Sequence, residues 1–315
     1  MVPTAVLFGS LALMVLTSCA TGVSREELAD EYVNIGNAWL ELGEPEEAAE
    51  YLVRAVDLNP DLAAANFNLA RAWLEVDRVG EAIDVLEELA ERDPQNTVVL
   101  RTLGVAHYRA GNMTAAREAF EDALEENPRD ADSLYNLGLI AAEEGNRDRS
   151  INLLEQARSI DDGADVARAY GLALFEQRRY EEAGEQLEEV ADEYAEDSRV
   201  LEARARIAEE REDYAEAVSL YETLLGQDDE RPEARFRLAR IRLVATEERE
   251  AGIADLRAAV EQGYDDTAAF EVLLADLEGE TYELVEGLLL DEGLLPPREQ
   301  SDDEPEENGE PEAQQ

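Results

Sequence analysis

The chain of 315 residues carries 77 Asp and Glu against 27 cationic residues, every one of them Arg, and its net charge is -50. So acidic a chain excludes nucleic-acid binding as its main role, and the lack of Lys excludes Schiff-base and phosphate-loop lysine chemistry. One His and one Cys leave no basis for a protein-built zinc site or a Cys-His catalytic site, while 45% hydrophobic but only 6% aromatic residues, with Ala, Leu and Glu abundant, predict an all-α fold with a sizeable core.

In chain order, the first element is an uncharged, mostly apolar run from Pro3 to Leu16, followed by Leu16-Thr17-Ser18-Cys19-Ala20. The run is too short to span a bilayer and reads as a signal segment, although no cationic residue precedes Arg25. The tetrapeptide ending at Cys19 resembles the lipobox of bacterial lipoproteins. That resemblance implies cleavage after Ser18, a lipid on Cys19 as the mature N-terminus, and residence in the cell envelope. Ala20 rather than Asp after the cysteine is compatible with outer-membrane sorting by the enterobacterial pattern, so the expected place is the outer membrane, on its periplasmic side, rather than the inner. The alternative is a cytosolic protein with an apolar N-terminal stub.

From Ala29 onward the chain repeats itself with a period of 34, marked by Pro60, Pro94 and Pro128. Each period holds two amphipathic helical patterns separated by turns such as Leu42-Gly43-Glu44-Pro45, Gly111-Asn112 and Gly145-Asn146, so each unit is predicted to be a helix hairpin. Small residues recur at Gly36, Gly104, Gly138 and Gly171, and twelve residues later at Ala48, Ala82, Ala116 and Ala183. These are predicted to be the points where the two helices of a hairpin approach each other.

With copies starting at Ala29, Ala63, Thr97 and Ala131, paired positions recur as Ile35-Gly36, Leu69-Ala70, Leu103-Gly104 and Leu137-Gly138. Leu52 and Ala55, Leu86 and Leu89, Phe120 and Ala123, and Leu154 and Ala157 follow in the second helices. This pattern resembles the tetratricopeptide repeat family, which implies a right-handed superhelical α-solenoid of helix hairpins. Copy four closes on Ser159-Ile160-Asp161-Asp162-Gly163 instead of proline; copy five, from Ala164, is one residue short; copy six, from Ser198, puts Arg204 at a usually apolar position; copy seven, from Pro232, has one residue extra. The implied organisation is a signal peptide over 1–18, a lipidated linker over 19–28, about seven repeats over 29–263, capping helices within 264–295 (Thr267 to Leu277 and Thr281 to Leu290), and an acidic tail over 296–315 expected to be disordered.

Single residues that invite chemistry have plainer readings. His107 stands where earlier copies carry Trp39 and Trp73, so it is expected in the core. Acid pairs such as Glu46-Glu47 sit at helix starts, where they complement the helix dipole. Asp161 and Asp162 lack the spaced ligands of a calcium loop. No catalytic residue, metal site or cofactor is predicted.

The family resemblance places a peptide-binding groove on positions two, five, six and nine of each first helix. Over seven copies these 28 positions hold seven Arg and five acids, a net charge of +2 in a chain at -50. The groove candidates are Asn37, Phe67, Asn68, Arg71, Arg101, Tyr135, Asn136, Arg168, Arg206, Phe236, Arg237 and Arg240, with Arg199 beside them. An electropositive strip with aromatics suits an acidic or C-terminal segment of a partner protein. A second reading stays open, in which the arginines pair with acids of neighbouring helices. Asn37 and Asn68 match the asparagines of the family's clamp for chaperone tails, but Val33, Val98 and Thr102 stand at its cation positions. The expectation is an envelope-anchored scaffold for other envelope proteins, non-enzymatic, with the membrane reached through Cys19. The alternative is a small-ligand-binding lipoprotein serving a solute transporter.

Overall fold

A computed structural model describes residues 24–246 and 248–296. The signal segment, Cys19 and nearly all of the acidic tail lie outside them. The described residues form sixteen α-helices and no strand. The chain divides between the ninth and tenth helices into two units, Met1–Arg179 and Tyr180–Gln315.

The first unit holds α1 (Arg25–Glu41) and α2 (Pro45–Leu58), α3 (Ala63–Glu75) and α4 (Val79–Arg92), α5 (Thr97–Arg109) and α6 (Met113–Glu126), α7 (Ala131–Glu143) and α8 (Arg147–Arg158), then α9 (Ala164–Glu176). Helix starts follow the predicted copy starts at Ala63, Thr97, Ala131 and Ala164. Ser24 opens α1 with a capping box: its hydroxyl accepts the Glu27 N–H at 3.1 Å, and the Glu27 carboxylate accepts the Ser24 N–H at 2.8 Å. Hairpins turn at one fixed register position, where Gly43, Gly111 and Gly145 take φ of 75°, 76° and 74°. Asp77 and Arg178 occupy the same position in copies two and five at φ 61° and 59°.

Within a hairpin, the recurrent glycine does not face the recurrent alanine as the sequence pattern suggests. A Cβ on Gly36 would lie 2.5 Å from Leu52, and one on Gly138 2.7 Å from Leu154. The glycine therefore makes room for the large side chain sixteen residues on, while Ala48, Ala82 and Ala116 are themselves fully buried. Helices α3 and α5 bury Ala65 and Ala72, and Val99 and Ala106; the register equivalents in α1, Glu31 and Ala38, are exposed, so the described repeats begin at α1.

The second unit holds α10 (Tyr180–Glu189), α11 (Ser198–Glu210), α12 (Tyr214–Gln227), α13 (Pro232–Val244), α14 (Arg249–Glu261), α15 (Thr267–Ala275) and α16 (Gly279–Asp291). Arg204, the cation at an apolar register position, is only 16% exposed and is bound by Glu188 at 3.0 Å and Glu216 at 3.2 Å. The two C-terminal helices bury Phe270, Leu273, Val285 and Leu289 in one cluster with Phe236, Ala239 and Leu256 of the last repeat. They cover apolar side chains of that repeat. Among the described residues no helix is long and apolar enough to cross a membrane.

Candidate functional site

In the first unit, Phe67 and Arg71 from α3 and Val98, Arg101 and Arg109 from α5 line a cleft of about 430 Å³. The helix register brings them together: 67, 71 and 74 lie on one face of α3, and 98, 101, 105 and 109 on the facing side of α5. A second cleft of about 410 Å³ shares Phe67 and Val98 and runs to Ala63 and Ala64 of α3, Leu89 and Arg92 of α4, and Val99 of α5. Val98 is 47% exposed, an unusual state for an apolar side chain in this chain.

The cations of this face are not equivalent. Arg101 is taken up by the next repeat, 2.9 Å from Asp130 and 2.8 Å from Asp132. Asp130 in turn is buried and caps α7, accepting the Ser133 N–H at 3.1 Å and its hydroxyl at 2.6 Å. Arg168 lies 3.6 Å from Asp165. Arg109 donates to the Leu74 carbonyl at the C-terminal end of α3, at 2.7 Å. Arg71 is exposed, meets only the Asn68 side-chain oxygen at 3.4 Å, and pairs with no carboxylate among the described residues. Thus the pairing reading holds for Arg101, whose acids come from the next repeat, whereas the Asp165 beside Arg168 belongs to the same helix and Arg71 pairs with no carboxylate among the described residues.

Asn37, Asn68, Tyr135 and Asn136 are half-buried. Asn37 keeps a buried side-chain oxygen without a hydrogen-bond partner, and Asn136 donates to the Asp132 carbonyl at 2.7 Å. Burial, with Asp165 nearby, raises the Tyr135 phenol above its ordinary pKa. The Tyr108 hydroxyl donates to Glu143, which pushes its pKa up to about 12. His107 is buried as expected, its Nε2 3.8 Å from Glu87. Arg117 of α6 binds Glu144, at the turn that ends α7.

The second unit differs from the expectation at Phe236. Its ring is 4% exposed, stacked on Tyr264 at 4.4 Å and edge-on to Phe270 at 5.6 Å. It is a core residue, because the segment after α14 covers the face that the repeat pattern leaves open. Arg237 and Arg240 both bind Glu209, whose side chain is 5% exposed and also accepts the Tyr221 hydroxyl at 3.1 Å. Burial, with Glu209 beside it, drives the Tyr221 phenol far above its usual pKa. Arg206 is half-buried within electrostatic reach of that phenol, and Arg199 is exposed. Sequence reasoning missed Glu209, although a signal was present: its register position holds Leu40, Leu74, Phe175 and Leu243 in other copies.

Family models described as tetratricopeptide repeat match residues 33–97, 101–165 and 202–267, and a second such model matches 141–207. No curated protein matches the chain. Among solved structures, one of Pseudomonas aeruginosa PilF is 22% identical with a TM-score of 0.62, over 68% of this chain and 98% of that one. A tetratricopeptide repeat protein from Parabacteroides merdae is 18% identical with a TM-score of 0.51, over 82% and 99%. The Cut9-Hcn1 hetero-tetramer structure gives 19% and 0.57, over 67% of this chain and 42% of that one. At these identities the likeness concerns the fold. With the repeat models matching well over half of its length, the chain belongs to the tetratricopeptide repeat family, whose hairpins form a protein-binding scaffold.

Proposed function

We propose that this protein is a lipid-anchored scaffold of the bacterial cell envelope, which binds partner proteins through the repeats of its first unit and performs no chemistry of its own. The observation that carries the anchor is Leu16-Thr17-Ser18-Cys19, set only five residues before α1 begins at Arg25. A lipid on Cys19 would hold the first repeat close to the membrane surface. The repeat family supports the scaffold role, and the open clefts beside Phe67 support the location of the binding face. An acidic or C-terminal partner segment suits Arg71 and Arg109.

Fractionation tests the anchor. The wild-type protein should stay with the outer membrane through a high-salt wash, and translocated Cys19→Ala should move to the periplasmic soluble fraction. Retention of Cys19→Ala in the washed membranes would sink the lipoprotein reading. Affinity purification from the detergent-solubilised envelope, followed by identification of co-eluting proteins, then tests the scaffold.

A further inference from the structure

The two clefts on the α3–α5 pair differ in chemistry and share a wall. On one side of Phe67 and Val98, Arg71 and Arg109 share the lining with Glu75 and with Arg101, which Asp130 and Asp132 hold. On the other side most of the lining surface is apolar, from Ala63, Ala64, Leu89 and Val99, and the one cation there, Arg92, is already paired with Glu88 at 2.5 Å and Asp61 at 3.5 Å. Arg71, Glu75 and Arg109 of the first cleft lie toward the C-terminal ends of the two helices, whereas Ala63, Ala64 and Val99 of the second lie at their N-terminal ends. A ligand crossing both therefore runs along the helix axes and meets a cation at one end and a greasy hollow at the other.

From this arrangement we infer that the face selects an extended peptide carrying one carboxylate and one bulky apolar side chain at a fixed separation, with Arg71 reading the first and the Phe67–Val98 wall the second. The inference deepens the scaffold proposal and rests on it for the location of the face. Arg71 is about six residues from the middle of the apolar hollow, which at ~1.5 Å of rise per residue is about 9 Å. An extended peptide advances about 3.3 Å per residue, so the two side chains should stand about three residues apart. Charge complementarity identifies the carboxylate: in a chain at -50, a site whose guanidinium pairs with no carboxylate among the described residues is where an anion gains. The apolar requirement separates a peptide from a bare anion, since a phosphate or acetate would leave the Val98 wall and the second hollow uncovered.

The probe is a displayed library of random twelve-residue peptides, selected on the full chain, after which the enriched peptides are synthesised and titrated by calorimetry. Enriched sequences should share an Asp or Glu about three residues from Phe, Leu, Ile or Trp. Arg71→Gln should weaken their binding at least fivefold and erase the distinction between a peptide and its Glu-to-Gln version. Val98→Ser should instead erase the preference for the large apolar residue. Both positions are exposed, so both variants should melt as the wild type does. A selection without a shared carboxylate, binding indifferent to Arg71→Gln, or equal Arg71-dependent binding to anionic vesicles would each overturn the inference. The fractionation of Cys19→Ala is independent of Arg71, so the anchor reading would survive that failure. Envelope partners that co-purify equally with wild type and with Arg71→Gln would preserve the scaffold and sink the peptide rule alone.

Discussion

Gly104 of α5 lies directly against the ring of Phe120 in α6: a Cβ at that glycine would stand 2.7 Å from two of the ring carbons. Phe120 is fully buried and cannot swing away. Gly104→Ala should therefore destabilise the fold by about 1–3 kcal/mol, despite the better helix propensity of Ala. Gly287 in α16 makes the contrast, because nothing lies within 4 Å of its Cβ position. Gly287→Ala should add about 0.5–1 kcal/mol. Urea denaturation of both variants checks the pair, and a Gly104→Ala midpoint at or above that of the wild type would refute the steric account.

That contact also shows what the sequence could and could not reveal. Periodicity located the hairpins, because Leu52, Leu86, Phe120 and Leu154 recur at helical spacing within a 34-residue repeat. It did not reveal which residue faces the glycine, since small-on-small and small-on-large packing leave the same spacing. The groove was legible as a set of register positions, whereas the state of its arginines was not. Arg101 is consumed by Asp130 and Asp132 at 2.9 and 2.8 Å, and Arg237 and Arg240 by Glu209, through partners 28–31 residues away whose side-chain reach no local pattern encodes. Phe236 was misplaced for a related reason: its cover, Tyr264, comes from a segment outside the repeat pattern.

Glu209 should be the most costly acid of the second unit to remove. Its side chain is 5% exposed and is held by Arg237, Arg240 and Tyr221. Glu209→Gln takes the charge from two guanidinium groups that are 27% and 36% exposed, so partial rehydration limits the loss to about 1–3 kcal/mol. A double-mutant cycle with Arg240→Gln should give a coupling above about 0.5 kcal/mol. Additive effects of the two substitutions would mean that the pair is not an energetic unit.

The hairpin turns offer a stabilising substitution. Arg178 and Glu212 are exposed and hold φ of 59° and 58° at the register position where other copies use glycine. A left-handed conformation costs a non-glycine residue about 1–2 kcal/mol, and glycine loses about 0.5–1 kcal/mol more backbone entropy on folding. Glu212→Gly and Arg178→Gly should each therefore gain up to about 1 kcal/mol. Asp77→Gly should gain less, because Asp tolerates this region better. The ranking can be read from thermal midpoints, and losses at both Arg178 and Glu212 would count against backbone strain there.

Salt should stabilise the protein, although it weakens individual ion pairs. Acids outnumber cations 77 to 27, so most carboxylates have no guanidinium of their own. Pairs such as Arg242 with Asp255, 12% and 14% exposed at 2.5 Å, sit where mobile ions screen little. The exposed excess of negative charge is screened much more. Between 0.1 M and 1 M the Debye length falls from about 10 Å to about 3 Å, so the repulsion between neighbouring helix surfaces should largely vanish over that range. Urea denaturation in sodium chloride should show the midpoint climbing steadily between those concentrations, with an unchanged slope. A flat or falling midpoint would mean that the inter-repeat arginine bridges, rather than the acidic surface, dominate the electrostatics of the fold.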